Sequence, residues 1–183
     1  LRSGFSRPDA AGKDERMVSL EPATRAERPA LESLFQLYAY DWSELGRIQI
    51  GADGHFAVAS LEPYWRDDHR HPFLIRVDGK LAGFALVVGQ SRLSGAIGVF
   101  DMAEFFVMRM YRRKGVGQAA AAAAFGRFSG PWEIRQRDEN VAATAFWRRA
   151  IAHYTGGRYT ETHWDNTTWT GPVQTFTTKG SSR

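Results

Sequence analysis

Met102-Ala103-Glu104-Phe105-Phe106-Val107-Met108-Arg109-Met110-Tyr111-Arg112-Arg113-Lys114-Gly115-Val116-Gly117 changes character twice, and six alanines from Ala119 to Ala124 follow it. The apolar run Met102 to Met110 reads as a strand. Gly115 to Phe128 reads as a helix, since alanine is the strongest helix former and its small side chain lets a helix pack closely on a sheet. Between the two, Arg109, Arg112, Arg113 and Lys114 lead directly into Gly115 and Gly117. A helix start leaves backbone N–H groups unpaired and carries the positive end of the helix dipole, so it attracts anions. Glycines let a ligand approach the backbone, and the basic side chains add charge at the rim. A cationic cluster alone is commonly a solvated surface; one set between strand and helix points to a pyrophosphate. The spacing matches neither Gly-x-Gly-x-x-Gly nor Gly-x-x-x-x-Gly-Lys-Ser/Thr, which disfavours a dinucleotide fold or a nucleotidase.

Outward from this unit the chain alternates between the two periodicities. Val18 to Leu20 is strand-like. Leu31, Leu34, Phe35, Leu37, Tyr38 and Trp42 recur at helical spacing over Ala26 to Ser43, behind a Thr24-x-x-Glu27 capping box. Residues 44–64 read as loop with a short second helix. Phe73 to Val77 and Leu81 to Val88 are strands joined through Asp78-Gly79, a hairpin signal. Trp132 to Arg137, Tyr159 to Trp164 and Val173 to Thr177 read as further strands, and Val141 to Tyr154 as a helix. The order predicts a mixed α/β fold, a central sheet covered by helices.

A length of 183 residues suits one domain, with 43% apolar and 24% charged residues, near globular averages. Residues 1–16 read as a flexible leader or an expression remnant, and 17–183 as the single domain. No apolar stretch is long enough to span a membrane and no signal-peptide core is visible, so a cytoplasmic location is expected. The chain has no cysteine, which excludes disulfides, thiolate metal sites and a cysteine nucleophile. The net charge of +4 would permit binding to a polyanion. The basic residues converge on the glycine loop, which favours a phosphate-bearing small molecule over nucleic acid. His69-x-His71 lacks neighbouring ligand types, so no metal is expected.

Arg112-x-x-Gly115-x-Gly117 after a strand, with Asn140-x-x-Ala143-x-x-Phe146-Trp147 downstream, resembles the GNAT (Gcn5-related N-acetyltransferase) superfamily over roughly Met17 to Lys179. The resemblance implies a mostly antiparallel sheet splayed at a cofactor cleft and flanked by helices. It implies acetyl-CoA as co-substrate, a primary-amine acceptor from a small molecule or a peptide or protein, and a chain that a homodimer would suit. The pantetheine would pair with backbone at Phe106, Val107 and Met108, and the phosphates would sit on Arg112, Arg113, Lys114, Gly115, Val116 and Gly117. Asn140, Phe146 and Trp147 would flank the cofactor. An oxyanion-binding N–H is implied at a bulge near Val107 or Met108. Arg148 and Arg149 could approach the phosphates or form a solvated face.

Transfer to an amine needs a base, an oxyanion donor and a proton for the departing thiolate. Glu104 is the first candidate base, because its apolar neighbours would raise its pKa; Asp101 and Glu133 are the others. A solvated acid at a strand end is the competing reading. Many members of the superfamily carry a tyrosine where this sequence has Trp147, whose indole is no practical acid. Tyr154 is the candidate replacement, with direct thiolate release the alternative. Asp41 and Glu44, among Tyr38, Tyr40, Trp42, Tyr64 and Trp65, could attract a cationic amine or simply cap an aromatic core. The competing function is an acyl-CoA-binding sensor or interaction domain that has lost its proton chemistry.

Overall fold

The computed structural model describes residues 16–46 and 48–179, so the expected leader lies outside the described residues except for Arg16. Seven strands, β1 (Val18–Pro22), β2 (Arg70–Val77), β3 (Lys80–Gln90), β4 (Ile97–Val107), β5 (Gly130–Arg135), β6 (Thr160–Asp165) and β7 (Thr170–Thr178), form one sheet in the order β1-β2-β3-β4-β5-β7-β6. Every neighbouring pair is antiparallel except β4 and β5. Three α-helices flank it: α1 (Arg28–Gly46), α2 (Val116–Arg127) and α3 (Val141–Thr155). The mixed sheet and helices agree with the expected fold class.

Helix α1 lies on one face, where Leu31, Leu34 and Phe35 pack on Leu74, Phe84, Leu86 and Phe106. The 3-10 turn Arg25–Glu27 that leads into it opens on the expected capping box, where Thr24 donates its N–H and its hydroxyl to Glu27 Oε2 at 2.9 and 2.8 Å. The other face carries α2 and α3, whose Ala120, Ala121, Ala124, Phe125, Trp147 and Ile151 cover Ile75, Ala85, Val87, Trp132 and Phe176. The alanines thus serve as a thin helix face against a sheet of large residues. Asp78 (φ 50) and Gly79 (φ 75) form the β2–β3 turn with positive φ at both central positions, as a tight hairpin requires.

Two departures from the sequence reading matter. The expected second helix is a single 3-10 turn, Glu62–Trp65. Strand β4 begins at Ile97, ahead of the expected Met102, because the connection from β3 is a tight turn at residues 91–96. Ser91 Oγ accepts the N–H groups of Leu93 (3.1 Å) and Ser94 (2.9 Å) and closes that turn.

Two features of β4 shape the site. Leu86 is opposite Glu104 whereas Val87 is opposite Met102, so Ala103 is an extra residue, a β-bulge. Parallel pairing of β4 with β5 is confined to Phe100–Trp132 and Asp101–Glu133. Beyond these residues the two strands part, and the sheet is forked.

Candidate active site

The bulge determines which way the acids of β4 point. Upstream, Phe100 and Met102 face α2 and α3; downstream, Phe105 and Val107 do so, and Phe106 faces α1. The extra residue therefore puts Glu104 on the α1 face together with Asp101. There Tyr38 Oη donates to Glu104 Oε2 at 2.7 Å, and Arg92 Nη1 lies 3.9 Å from Glu104 Oε1. Burial raises the pKa of Glu104, with the Tyr38 hydrogen bond and Arg92 opposing. The side chain remains 28% exposed, so substrate can reach it. Burial and the adjacent Glu104 push the Tyr38 hydroxyl far above its usual range, and Tyr64 is raised to about 12, chiefly by burial. Both tyrosines stay protonated.

Asp101 is fully buried, and its Oδ2 accepts from Arg135 Nε at 3.0 Å. Burial raises its pKa although Arg135 opposes the shift. The Arg135 guanidinium lies 4.5 Å from the Trp169 ring centroid, and Trp169 also meets Arg137 at 5.1 Å. Asp101 is thus anchored behind Glu104. Glu133, the third candidate, accepts Ser91 Oγ at 2.7 Å and is tied to the β3–β4 turn.

The fork exposes backbone. Met108 N–H donates to Ala82 O at 2.8 Å, and Val107 stands opposite Gly83. Antiparallel ladders alternate, so the Phe106 backbone also points toward β3 while Phe105 and Val107 point their N–H groups toward the gap. Of the three backbone positions expected to meet a cofactor, Val107 has a free amide; Met108 has spent its own on β3. The bulge itself lies at Ala103, upstream of the expected Val107 or Met108.

At the end of β4, Arg113 (φ 58) and Gly115 (φ 79) adopt left-handed conformations that turn the chain into α2. Gly115 is an N-cap without a side chain, and Ala119 N–H is the first to bond back, to Gly115 O. The amides of Val116, Gly117 and Gln118 are therefore available to an anion. The side chains of the loop divide in function. Arg113 and Lys114 are exposed, with Lys114 Nζ donating to Met110 O at 2.7 Å. Arg112, also exposed, makes contacts across the loop: its Nε donates to Val107 O at 2.6 Å, its Nη2 pairs with Asp41, and its guanidinium lies 5.6 Å from the Phe106 ring centroid. These contacts brace the loop, and the side chain remains 41% exposed at its rim. Arg109 joins it on Asp41 at 2.7 Å. Burial alone would raise the Asp41 pKa, but the bonds from Arg112 and Arg109 outweigh it and hold the carboxyl below the usual range. Asp41 clamps α1 to the loop and is unavailable to a cationic amine.

The residues of α3 are placed as follows. Asn140 Oδ1 caps the helix by accepting Ala143 N–H at 3.1 Å. Phe146 stacks on Phe105, ring centroids 5.8 Å apart, and Trp147 meets Phe105 edge-on at 5.1 Å within the core. Tyr154 packs edge-on against Phe125 at 5.2 Å, on the face of the sheet opposite Glu104. There Tyr154 packs on Phe125 and stays partly exposed. Arg148 pairs with Glu161 across to β6, so its guanidinium is committed there. Tyr38 is the partner that sequence reasoning did not assign to the base; 66 residues separate it from Glu104. A Cβ on Gly117 would lie 3.1 and 3.3 Å from Phe146 carbons, so the close approach at this glycine is to the protein's own α3. Gly117→Val is therefore expected to cost roughly 1–3 kcal/mol of stability by overpacking and to weaken CoA binding. Thermal unfolding together with CoA titration measures both.

The profile of the acetyltransferase (GNAT) family matches residues 31–151, more than half of the chain, from within α1 to within α3. The chain belongs to the GNAT acetyltransferase family. No curated protein matches it in sequence. Among solved structures, an acetyltransferase from Thermus thermophilus is similar with a TM-score of 0.61 and 16% identity, covering 87% of this chain and 96% of that one. The GNAT domain of PAT from S. lividans gives 0.58 and 14%, covering 92% and 99%. RimL, the ribosomal L7/L12 alpha-N-protein acetyltransferase in complex with coenzyme A, gives 0.53 and 16%, covering 86% and 91%. At these identities the likeness is one of fold. As a GNAT member the chain is an acyltransferase, and no helix among the described residues is long and apolar enough to cross a membrane.

Proposed function

We propose that this GNAT enzyme transfers an acetyl group from acetyl-CoA to a primary amine by direct attack on the thioester, with Glu104 as the base. The observation that carries the reading is the placement of Glu104. It is desolvated, oriented by Tyr38 and reachable, beside the stretch of β4 whose outer amides face the fork. Acetyl-CoA supplies the activated acetyl group. The amides of Val116, Gly117 and Gln118, with Arg113 and Lys114 at the rim, suit its pyrophosphate; the Phe105 and Val107 amides suit its pantetheine and the oxyanion that develops on acyl transfer.

Glu104 takes the proton from the attacking nitrogen, and its raised pKa makes it a stronger base than an ordinary carboxylate. Asp101 and Arg135 hold the floor beneath it. With Trp147 in the core and Tyr154 across the sheet, no side chain is assigned as acid, and the thiolate leaves directly to solvent.

Native mass spectrometry of the purified protein tests the cofactor, with co-purified CoA or acetyl-CoA expected. An acceptor panel read by thiol release then tests the amine. Transfer to hydroxyl acceptors with none to amines would overturn the acceptor class.

A further inference from the structure

Two buried side-chain acceptors have no partner among the described residues: Asp101 Oδ1 and Gln136 Oε1. Asp101 belongs to the floor beneath Glu104. Gln136 is 4% exposed and follows β5 directly, three positions beyond Glu133, the last residue of β5 to pair with β4. Its N–H donates to Pro172 O of β7 at 3.1 Å. Alternation from Trp132 and Ile134 puts its side chain on the face covered by α2 and α3, beside the open part of the fork.

The free atom of Gln136 follows from its neighbours. Glu161 carries a carboxylate held by Arg148, with Nε to Oε2 at 2.9 Å, and that bond keeps its pKa below the ordinary carboxylate range. An ionised carboxylate can only accept. Gln174, which is fully buried, must turn its NH2 toward Glu161 (2.7 Å) and so turns its oxygen toward Gln136. Gln136 must then give its own NH2 to Gln174 (2.9 Å), which leaves Gln136 Oε1 as a buried acceptor awaiting a donor. Reversing either amide would set like groups against each other. The direction is fixed from the Arg148–Glu161 pair inward.

We propose that Gln136 Oε1 accepts an amide N–H of the pantetheine arm of CoA, and that Arg148, Glu161 and Gln174 are positioning residues that hold it in that orientation. The proposal rests on the reading that CoA lies in the fork. Each pantetheine amide brings one N–H that loses water on entering, and a carbonyl already oriented by its neighbours replaces that water.

Calorimetric titration of the whole protein with CoA and with adenosine 3′,5′-bisphosphate, which has no pantetheine, tests it. Gln136→Met keeps the side-chain length and removes the acceptor, so CoA should bind roughly 5- to 10-fold more weakly, the range of one neutral hydrogen bond, with the bisphosphate unaffected. Glu161→Gln replaces the acceptor-only terminus with a group that can also donate, lets the chain invert, and should weaken CoA in the same selective way, from a residue on β6. CoA affinity matching wild type in both variants, or an equal loss for the two ligands, overturns the relay. If Gln136→Met fails to fold, Glu161→Gln decides alone by the same comparison. Wild-type protein that binds neither ligand overturns the cofactor reading itself, a result distinct from the others.

Discussion

Glu104→Gln is expected to lower kcat for acetyl transfer roughly 10²- to 10⁴-fold, the range of a lost general base, with CoA affinity essentially unchanged. The substitution is nearly isosteric and its amide oxygen can still accept the Tyr38 hydroxyl, so what it removes is the proton acceptor and its charge. In the wild type, kcat/KM should rise as Glu104 loses its proton, at a pH above the ordinary carboxylate range because burial raises its pKa. The variant should lack that limb. Stability moves the other way. The folded pKa lies above the unfolded value near 4.5, so the folded state binds this proton more tightly and the group's contribution becomes unfavourable as pH rises through that window. At neutral pH the Gln variant should therefore unfold at no lower a temperature than wild type. Full turnover in the variant, or a matching loss in the melting temperature, would remove Glu104 from the chemistry.

Gly83→Ala is expected to have the largest effect on the fold around the site. A Cβ there would lie 2.0 Å from Phe106 O and 3.0 Å from the Val107 Cα, both backbone. The atoms met are part of the β3–β4 ladder, so no side-chain rotation relieves the clash and the strands must separate. Overpacking of this kind costs about 1–3 kcal/mol, and the upper end is expected because the obstacle is main chain. The separation would act at Phe106 and at Val107, whose amide faces the fork, so CoA binding should fall with stability. Denaturant unfolding and CoA titration measure the pair. An alanine variant with wild-type stability would show that β4 can shift freely here.

The sequence carried the local parts of this site well. Arg112 to Gly117 was legible because a strand, a turn with glycine and a helix are written in consecutive residues, and the Thr24–Glu27 box and the Asp78-Gly79 turn are local for the same reason. What it concealed was long-range. Asp41 looked like a counter-charge for an amine, since nothing in its own helix shows that Arg109 and Arg112 will neutralise it. Nothing local in the loop shows that Arg112 also braces the end of β4. Tyr38 lies in an aromatic stripe that α1 would need for packing in any case. Its bond to Glu104 depends on the strand order and on a bulge that adds only one residue. Gln136 and Gln174 gave no signal, because a buried amide chain is a property of two strands and their edge together.

The bulge at Ala103 also governs how this strand can be compared with others. It works as a change of reading frame within β4: before it even-numbered residues face α2 and α3, and after it odd-numbered ones do. An alignment with a strand that lacks the extra residue would put Glu104 in the column of core side chains and Phe105 in the column of acids, while every hydrophobicity score along the strand stayed high. Correspondence between carboxylates of such strands has to be drawn by the face each one occupies, with Phe106 and Tyr38 as the markers of the α1 side.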